Sequence, residues 1–197
     1  SCGRACQSAP GNPHGQPLPQ RLRHAAAPPK ASHLTPPTRR AMTSFLTLTP
    51  NPALDIATST EQVLPTHKLR CGTVLRYPGG GGINVARVLH RLGAAVEARA
   101  LVGGPAGAQL QALLQQEGVV CQMHPIAGDT RENMSVLETR TGQEFRFVLP
   151  GPTVDHTQSQ ALLEALLPTA EPGSQPARWI IASGSLPPGM PHDFYAQ

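Results

Sequence analysis

Four consecutive glycines, Gly79 to Gly82, run without a gap into an amphipathic stretch that carries Asn84 in its first turn. A helix N-terminus offers unpaired backbone N–H groups and a partial positive charge. Glycine lets a ligand approach the backbone closely and reaches positive φ. The run therefore suits the floor of a site for a polar ligand, with Asn84 offering both a donor and an acceptor to neighbouring hydroxyls. A merely close-packed turn accounts for the glycines equally well. Two nucleotide motifs are excluded: no G-K-[ST] follows the run, and no G-x-G-x-x-G with a later acidic residue is present. Three further polar residues, Asp55, Arg131 and Ser185, fall at the ends of predicted strands or at the starts of the elements that follow. Open α/β sheets bind their ligands at such places.

The elements that must position these residues follow from hydrophobic pattern and turn residues. "FLTLT" reads as a strand that stops at Pro50 and Pro52, with Asp55 in the turn just beyond. "HKLRCGTVLRYP" alternates in short stretches, as an exposed two-faced sheet would. Ile83, Val88, Leu89 and Leu92 form one helical stripe, and Gly93 caps the helix. "AVEARALVG" predicts a strand, "AGAQLQALLQQEG" a helix ending at Gly118, and "VVCQMHPI" a strand. "NMSVLET" and "EFRFVLP" predict a hairpin with Gly142 in its turn. "HTQSQALLEALLP" predicts a helix, "EPGSQPA" a loop and "RWIIASG" a strand whose Trp179 packs in the core. Strands alternating with helices imply a mostly parallel α/β sheet. The polar strands near 62–77 and the hairpin imply a second, smaller sheet.

Charge is uneven along the chain. Residues 1–41 hold six basic residues, eight prolines and no acidic residue, leaving ten basic against twelve acidic, net −2, in residues 42–197. The basic balance belongs to the tail, so a nucleic-acid-binding domain loses its main support. The tail has no apolar period and is expected to be disordered. Its prolines exclude the amphipathic helix of a transit peptide. The expectation is that the native protein starts at Met42, with residues 1–41 translated upstream sequence or an artefact. A genuine disordered tail is the alternative. No run of about 18 apolar residues predicts a membrane span. Cys71 and Cys121 are expected as reduced thiols of a cytoplasmic protein, Cys2 and Cys6 lack partners at metal spacing, and the eight histidines form no ligand pair. No structural metal is expected.

"TLTPNPALDIA", "KLRC", "PGGGGINVARVLHRLG", "TREN", "EFRFVLPG" and "SGSLPPG" occur in this order over residues 47–189. Together they resemble the N-terminal half of a PfkB-type (ribokinase-like) sugar kinase. The resemblance covers roughly residues 43–197 and is nearest to the ATP-dependent phosphofructokinase II branch. Tagatose-6-phosphate kinases and 1-phosphofructokinases are near relatives. It implies an α/β fold, a mostly parallel sheet flanked by helices with a small β-sheet lid.

The resemblance also implies roles. Asp55 would accept from sugar hydroxyls, and Gly80, Gly81, Gly82 and Asn84 would line the sugar. Arg131 would hold the phosphate already on the substrate, a task that suits a planar, permanently charged fork. Ser185 would donate to the substrate, and Lys68, in the lid sheet, would reach the nucleotide phosphates. Each has a plainer alternative: a turn cap for Asp55, a solvated loop arginine for Arg131, an exposed lysine for Lys68, a Ser turn before Pro187 for Ser185. Arg146 on the hairpin faces either the sugar phosphate or solvent. The implied reaction is transfer of the γ-phosphoryl of ATP, with Mg2+, to fructose 6-phosphate, giving fructose 1,6-bisphosphate. The implied assembly is a homodimer through the lid sheets. The family's catalytic base lies in a G-A-G-D motif that is absent from these 197 residues. The expectation is therefore a chain cut before its catalytic base, inactive by itself, or a non-catalytic sugar-phosphate-binding fragment.

Overall fold

Residue pattern and register divide the chain between two four-stranded sheets. The computed structural model describes residues 45–166 and 177–197; the expected tail over 1–41 and most of the expected loop over 171–177 lie outside them. β1 (Phe45–Thr49) pairs in parallel with β4 (Val96–Val102) on one side and with β8 (Trp179–Ala182) on the other. β5 (Val120–Pro125) extends the sheet in the order β5-β4-β1-β8, all parallel. A strand central to such a sheet is covered on both faces, which is why β1 is buried over Leu46–Thr49.

Helices α1 (Gly81–Arg91) and α2 (Gly104–Gln116) cover one face. Their Ile83, Ala86, Leu110 and Leu114 form a continuous apolar cluster with Val96, Ala98, Ala100 and Val102. Helix α3 (His156–Glu164) and a short 3-10 turn, Phe194–Ala196, belong to the other face, where Leu162 and Phe194 meet Leu48 and Leu101. α3 begins in a capping box. Asp155 accepts from Gln158 N at 2.7 Å, and the Gln158 side chain accepts from Asp155 N at 3.0 Å. Among the described residues no helix is long and apolar enough to cross a membrane.

The second sheet runs β3 (Leu75–Gly79), β2 (Ala53–Thr60), β6 (Arg131–Glu138), β7 (Glu144–Val148). β2 and β6 are parallel, and the outer pairs are antiparallel. The expected small sheet and the 6–7 hairpin are present, with Gly142 at the hairpin turn. Four expectations need correction. Asp55 is not in a turn: Pro52 ends one strand but starts another, because proline is tolerated immediately before a strand, and "ALDIATST" continues as β2. Of the polar stretch near 62–77 only residues 75–77 lie in a strand, the start of β3, so Lys68 sits exposed on a loop rather than in the sheet. That loop is held by side chains instead of a ladder: Glu138 accepts from Val63 N at 2.7 Å, and Thr60 Oγ1 donates to Arg70 O at 3.3 Å. On α1 the buried row is Gly82, Ile83 and Ala86 with Leu89 beside it, whereas Val88 and Leu92 are 53% and 77% exposed. Trp179 is 56% exposed, not in the core: among the described residues β8 is paired on its β1 side only.

Candidate functional site

The chain leaves β1 through Pro50, Asn51 and Pro52 and enters the second sheet at Ala53. It returns at Gly80, between β3 and α1. The candidate residues gather around these two passages. Gly80 adopts φ 117°, which L side chains rarely take, and so turns the chain into the helix. Gly82 lies directly on β1. A Cβ there would meet Thr49 Oγ1 at 2.5 Å and the Leu48 carbonyl at 2.6 Å. Close packing thus accounts for Gly82, and its N–H donates to Ser183 O at 3.2 Å. Gly80 and Gly81 remain partly exposed beside the segment Ser183–Ser185.

Asn84 is exposed, and its Oδ1 lies 3.4 Å from Arg87 Nη1. Arg87 is fixed by a two-pronged pair with Glu117, at 2.7 Å from Nη2 and 2.9–3.0 Å from Nε, and it also donates to Pro78 O at 3.0 Å. The acceptor end of Asn84 is therefore turned toward protein, which leaves its amide N–H groups for a ligand. Burial pushes the Glu117 carboxyl up, but hydrogen bonds and charge from Arg87 and Arg91 outweigh it and hold the group below its ordinary value.

Asp55 faces the same side of the second sheet as Asn133, Ser135 and Arg146, by the register Asp55↔Asn133 and Ser135↔Arg146. Asn133 Nδ2 donates to Asp55 Oδ1 at 2.9 Å, and Asp55 Oδ2 lies over the Cα of Gly79. A cavity of about 200 Å3 opens here, lined by Asp55, Asn133, Ser135, Glu144, Arg146 and Val148. Arg146, which the sequence left facing either way, lines it. Asn133 was not singled out from sequence, since an asparagine inside a strand carries no motif.

Arg131 opens β6. Its Nη2 donates to Asn51 O at 3.1 Å and lies 3.5 Å from Ser185 Oγ. Nε reaches Pro52 O at 3.4 Å, and Nη1 reaches Leu149 O at 3.3 Å. These contacts are longer than the usual N–H···O distance of about 2.9–3.0 Å. Burial pulls the Arg131 guanidinium below its ordinary value, Asp55 opposes that shift, and an arginine stays charged throughout. Ser185 also receives Asn51 Nδ2 at 3.1 Å. Thus Asp55, the Gly run, Arg131 and Ser185 share one corner. Lys68 stands apart from it, exposed on the loop before β3. Among the described residues no group of three or more His, Cys, Asp or Glu could hold a metal ion. Cys71 and Cys121 are free thiols.

Such a corner gathers one carboxylate, one guanidinium, a hydroxyl and helix-start N–H groups. That set matches an anionic, hydroxyl-rich molecule. Residues 51–197 match the model of the pfkB family carbohydrate kinases. The chain is 48% identical over 151 residues to the ATP-dependent 6-phosphofructokinase isozyme 2 of Mycobacterium tuberculosis, covering 77% of the chain and 43% of that protein. It is 40% identical over 149 residues to the isozyme 2 of Escherichia coli, covering 76% and 47%. It is 32% identical over 152 residues to the 1-phosphofructokinase of Xanthomonas campestris, covering 77% and 46%. The chain thus spans about half the length of the curated relatives it matches. The crystal structure of the Escherichia coli phosphofructokinase-2 in complex with fructose-6-phosphate superposes with a TM-score of 0.70 at 36% identity, over 79% of this chain and 50% of that one.

Proposed function

The chain belongs to the pfkB family of carbohydrate kinases, and on that premise we propose that residues 42–197 form the sugar-phosphate-binding portion of an ATP-dependent kinase acting on fructose 6-phosphate. The observation that carries this reading is the convergence of Arg131 and Ser185, within 3.5 Å of each other, on the corner that Asp55 and the Gly run also reach. In it, Arg131 neutralises the substrate's phosphate, and Arg146 supplies a second positive charge across the cavity. Asp55 accepts from two sugar hydroxyls and is held by Asn133. Gly80, Gly81 and the amide of Asn84 line the sugar, and Ser185 donates to it. The higher identity to two 6-phosphofructokinases than to a 1-phosphofructokinase favours fructose 6-phosphate over its 1-phosphate isomer.

The reaction proposed for the whole protein is phosphoryl transfer from ATP, giving fructose 1,6-bisphosphate. Catalysis of this kind rests on positioning and charge neutralisation, in which magnesium shields the nucleotide phosphates. The described residues offer no carboxylate set for that metal. Lys68 would meet the nucleotide phosphates on the strength of the family resemblance alone. A dimer through the second sheet is proposed on the strength of the family resemblance alone. Calorimetry of the chain with fructose 6-phosphate, fructose 1-phosphate and tagatose 6-phosphate tests the assignment. Heat is expected foremost with fructose 6-phosphate, and Arg131→Ala should weaken it by about 1.5–3 kcal/mol, the scale of a hydrogen bond to a charged group. No heat with any of the three would overturn the reading.

A further inference from the structure

Asn51 is absorbed by no role given above, yet it is spent entirely on the site. It is 5% exposed, in the three-residue link between the sheets. Its carbonyl accepts from Arg131 Nη2 at 3.1 Å, and its Nδ2 donates to Ser185 Oγ at 3.1 Å. Its Oδ1 is buried without a partner against Gly151, where any Cβ would collide with the amide and stand 2.9 Å from Asn51 Cγ. The fold therefore leaves out a side chain at 151 to seat this amide.

A serine hydroxyl has two lone pairs and one hydrogen. Asn51 takes one lone pair of Ser185, and Arg131, at 3.5 Å, faces the other. The hydrogen is then left to point away from both, toward the exposed side of Ser185. We propose that Asn51 is a positioning residue that fixes Ser185 as a hydrogen-bond donor to an oxygen of the bound sugar phosphate. The same residue tethers the Arg131 guanidinium beside it. This deepens the function proposed above and rests on it for the ligand. Turning the Asn51 amide over would consume the hydrogen of Ser185, so the amide's orientation is itself what an experiment must read.

The first measurement needs no ligand. In the full 15N-labelled chain, the Asn51 side-chain NH2 pair should exchange slowly and should shift on Ser185→Ala. An NH2 pair that exchanges like an exposed amide, or ignores Ser185→Ala, overturns the proposal even if no sugar phosphate binds. The second is a double-mutant cycle read by fructose 6-phosphate binding. Asn51→Asp is isosteric but turns the donor into an acceptor that captures the hydrogen of Ser185 and attracts Arg131. It should raise the Kd about tenfold or more, and that increase should shrink clearly in the Ser185→Ala background. An equal effect of Asn51→Asp in both backgrounds would make Asn51 a packing residue only. A wild-type chain that binds none of the sugar phosphates, but keeps the protected and Ser185-sensitive amide, would sink the ligand assignment while leaving the donor geometry standing.

Discussion

Replacing Gly79 with alanine tests the placement of Asp55 with little change elsewhere. The new methyl carbon would stand 2.5 Å from Asp55 Cγ and 2.8 Å from Oδ1, against an ordinary contact of 3.4 Å or more. The carboxylate is the end of a flexible side chain, so it retreats by about an ångström rather than forcing the backbone apart. Its hydrogen bond from Asn133, 2.9 Å in the native arrangement, is then lost. Asp55 is only half-buried, so the loss counts at the low end for a charged hydrogen bond, about 1.5 kcal/mol. An off-rotamer side chain adds about 1 kcal/mol. The reduced freedom of the unfolded chain returns about 0.5 kcal/mol, since Gly79 is not at positive φ. The net is about 2 kcal/mol, or a Tm lower by roughly 4–8 °C for a chain of this size. Binding should suffer more. A carboxylate moved off two sugar hydroxyls forfeits about 3 kcal/mol or more, over a hundredfold in Kd for fructose 6-phosphate. Scanning calorimetry and titration calorimetry on the same preparation read the two effects. A lowered Tm with unchanged Kd would refute the sugar contact of Asp55. An unchanged or raised Tm would refute the geometry itself.

Gly82→Ala should behave in the opposite way. Its Cβ meets a backbone carbonyl and a buried hydroxyl of β1, neither of which can swing aside, so α1 must shift off the sheet at a cost of about 1–3 kcal/mol; denaturant titration should show the lower midpoint, and a native midpoint would mean that the helix is not seated as described. The Arg87–Glu117 pair predicts an acid limb. Because the folded carboxyl lies below its ordinary 4.5, its contribution is complete above that pH and is lost as pH falls below it toward the folded value. Tm measured from pH 6 to pH 3 should therefore drop more steeply in the wild type than in Glu117→Gln, and parallel curves would remove the pair from the account of stability.

The first sheet was readable because each of its strands and helices announces itself locally. "FLTLT" and "AVEARALVG" are apolar runs of strand length, and α1 begins inside the glycine run, at Gly81, and ends before Gly93. β2 was missed for a physical reason. "ALDIATST" follows two prolines and is polar on one face, so its strand character comes from pairing with β3, 18 to 26 positions away, and with β6, 78 positions away. Trp179 differs from its expectation because an apolar strand reads as buried, whereas burial depends on whether a neighbour covers it, and among the described residues β8 has a neighbour on one side only. In the site, Asp55, Arg131 and Ser185 could be named from motifs. Asn51, Asn133 and the inward side of Arg146 could not, since each is defined by a partner across the register or across the gap between sheets.

The corner's chemistry follows from where the chain changes sheets. Residues 50–52 carry it from β1 to β2, residues 126–130 from β5 to β6, and residues 149–155 from β7 to α3. Arg131 stands at the end of the second passage and donates to carbonyls on the first, Asn51 and Pro52, and on the third, Leu149. Backbone carbonyls at a chain crossing are left without ladder partners, so they supply a cradle of partial negative charge for one cation. Their contacts of 3.1–3.4 Å are long, and each gives up little when the guanidinium re-aims. On the function proposed above, a phosphate entering the corner meets a charge already placed beside it but not locked into strong bonds. Recognition costs little reorganisation, and most of the charge-assisted hydrogen bond is left to the ligand.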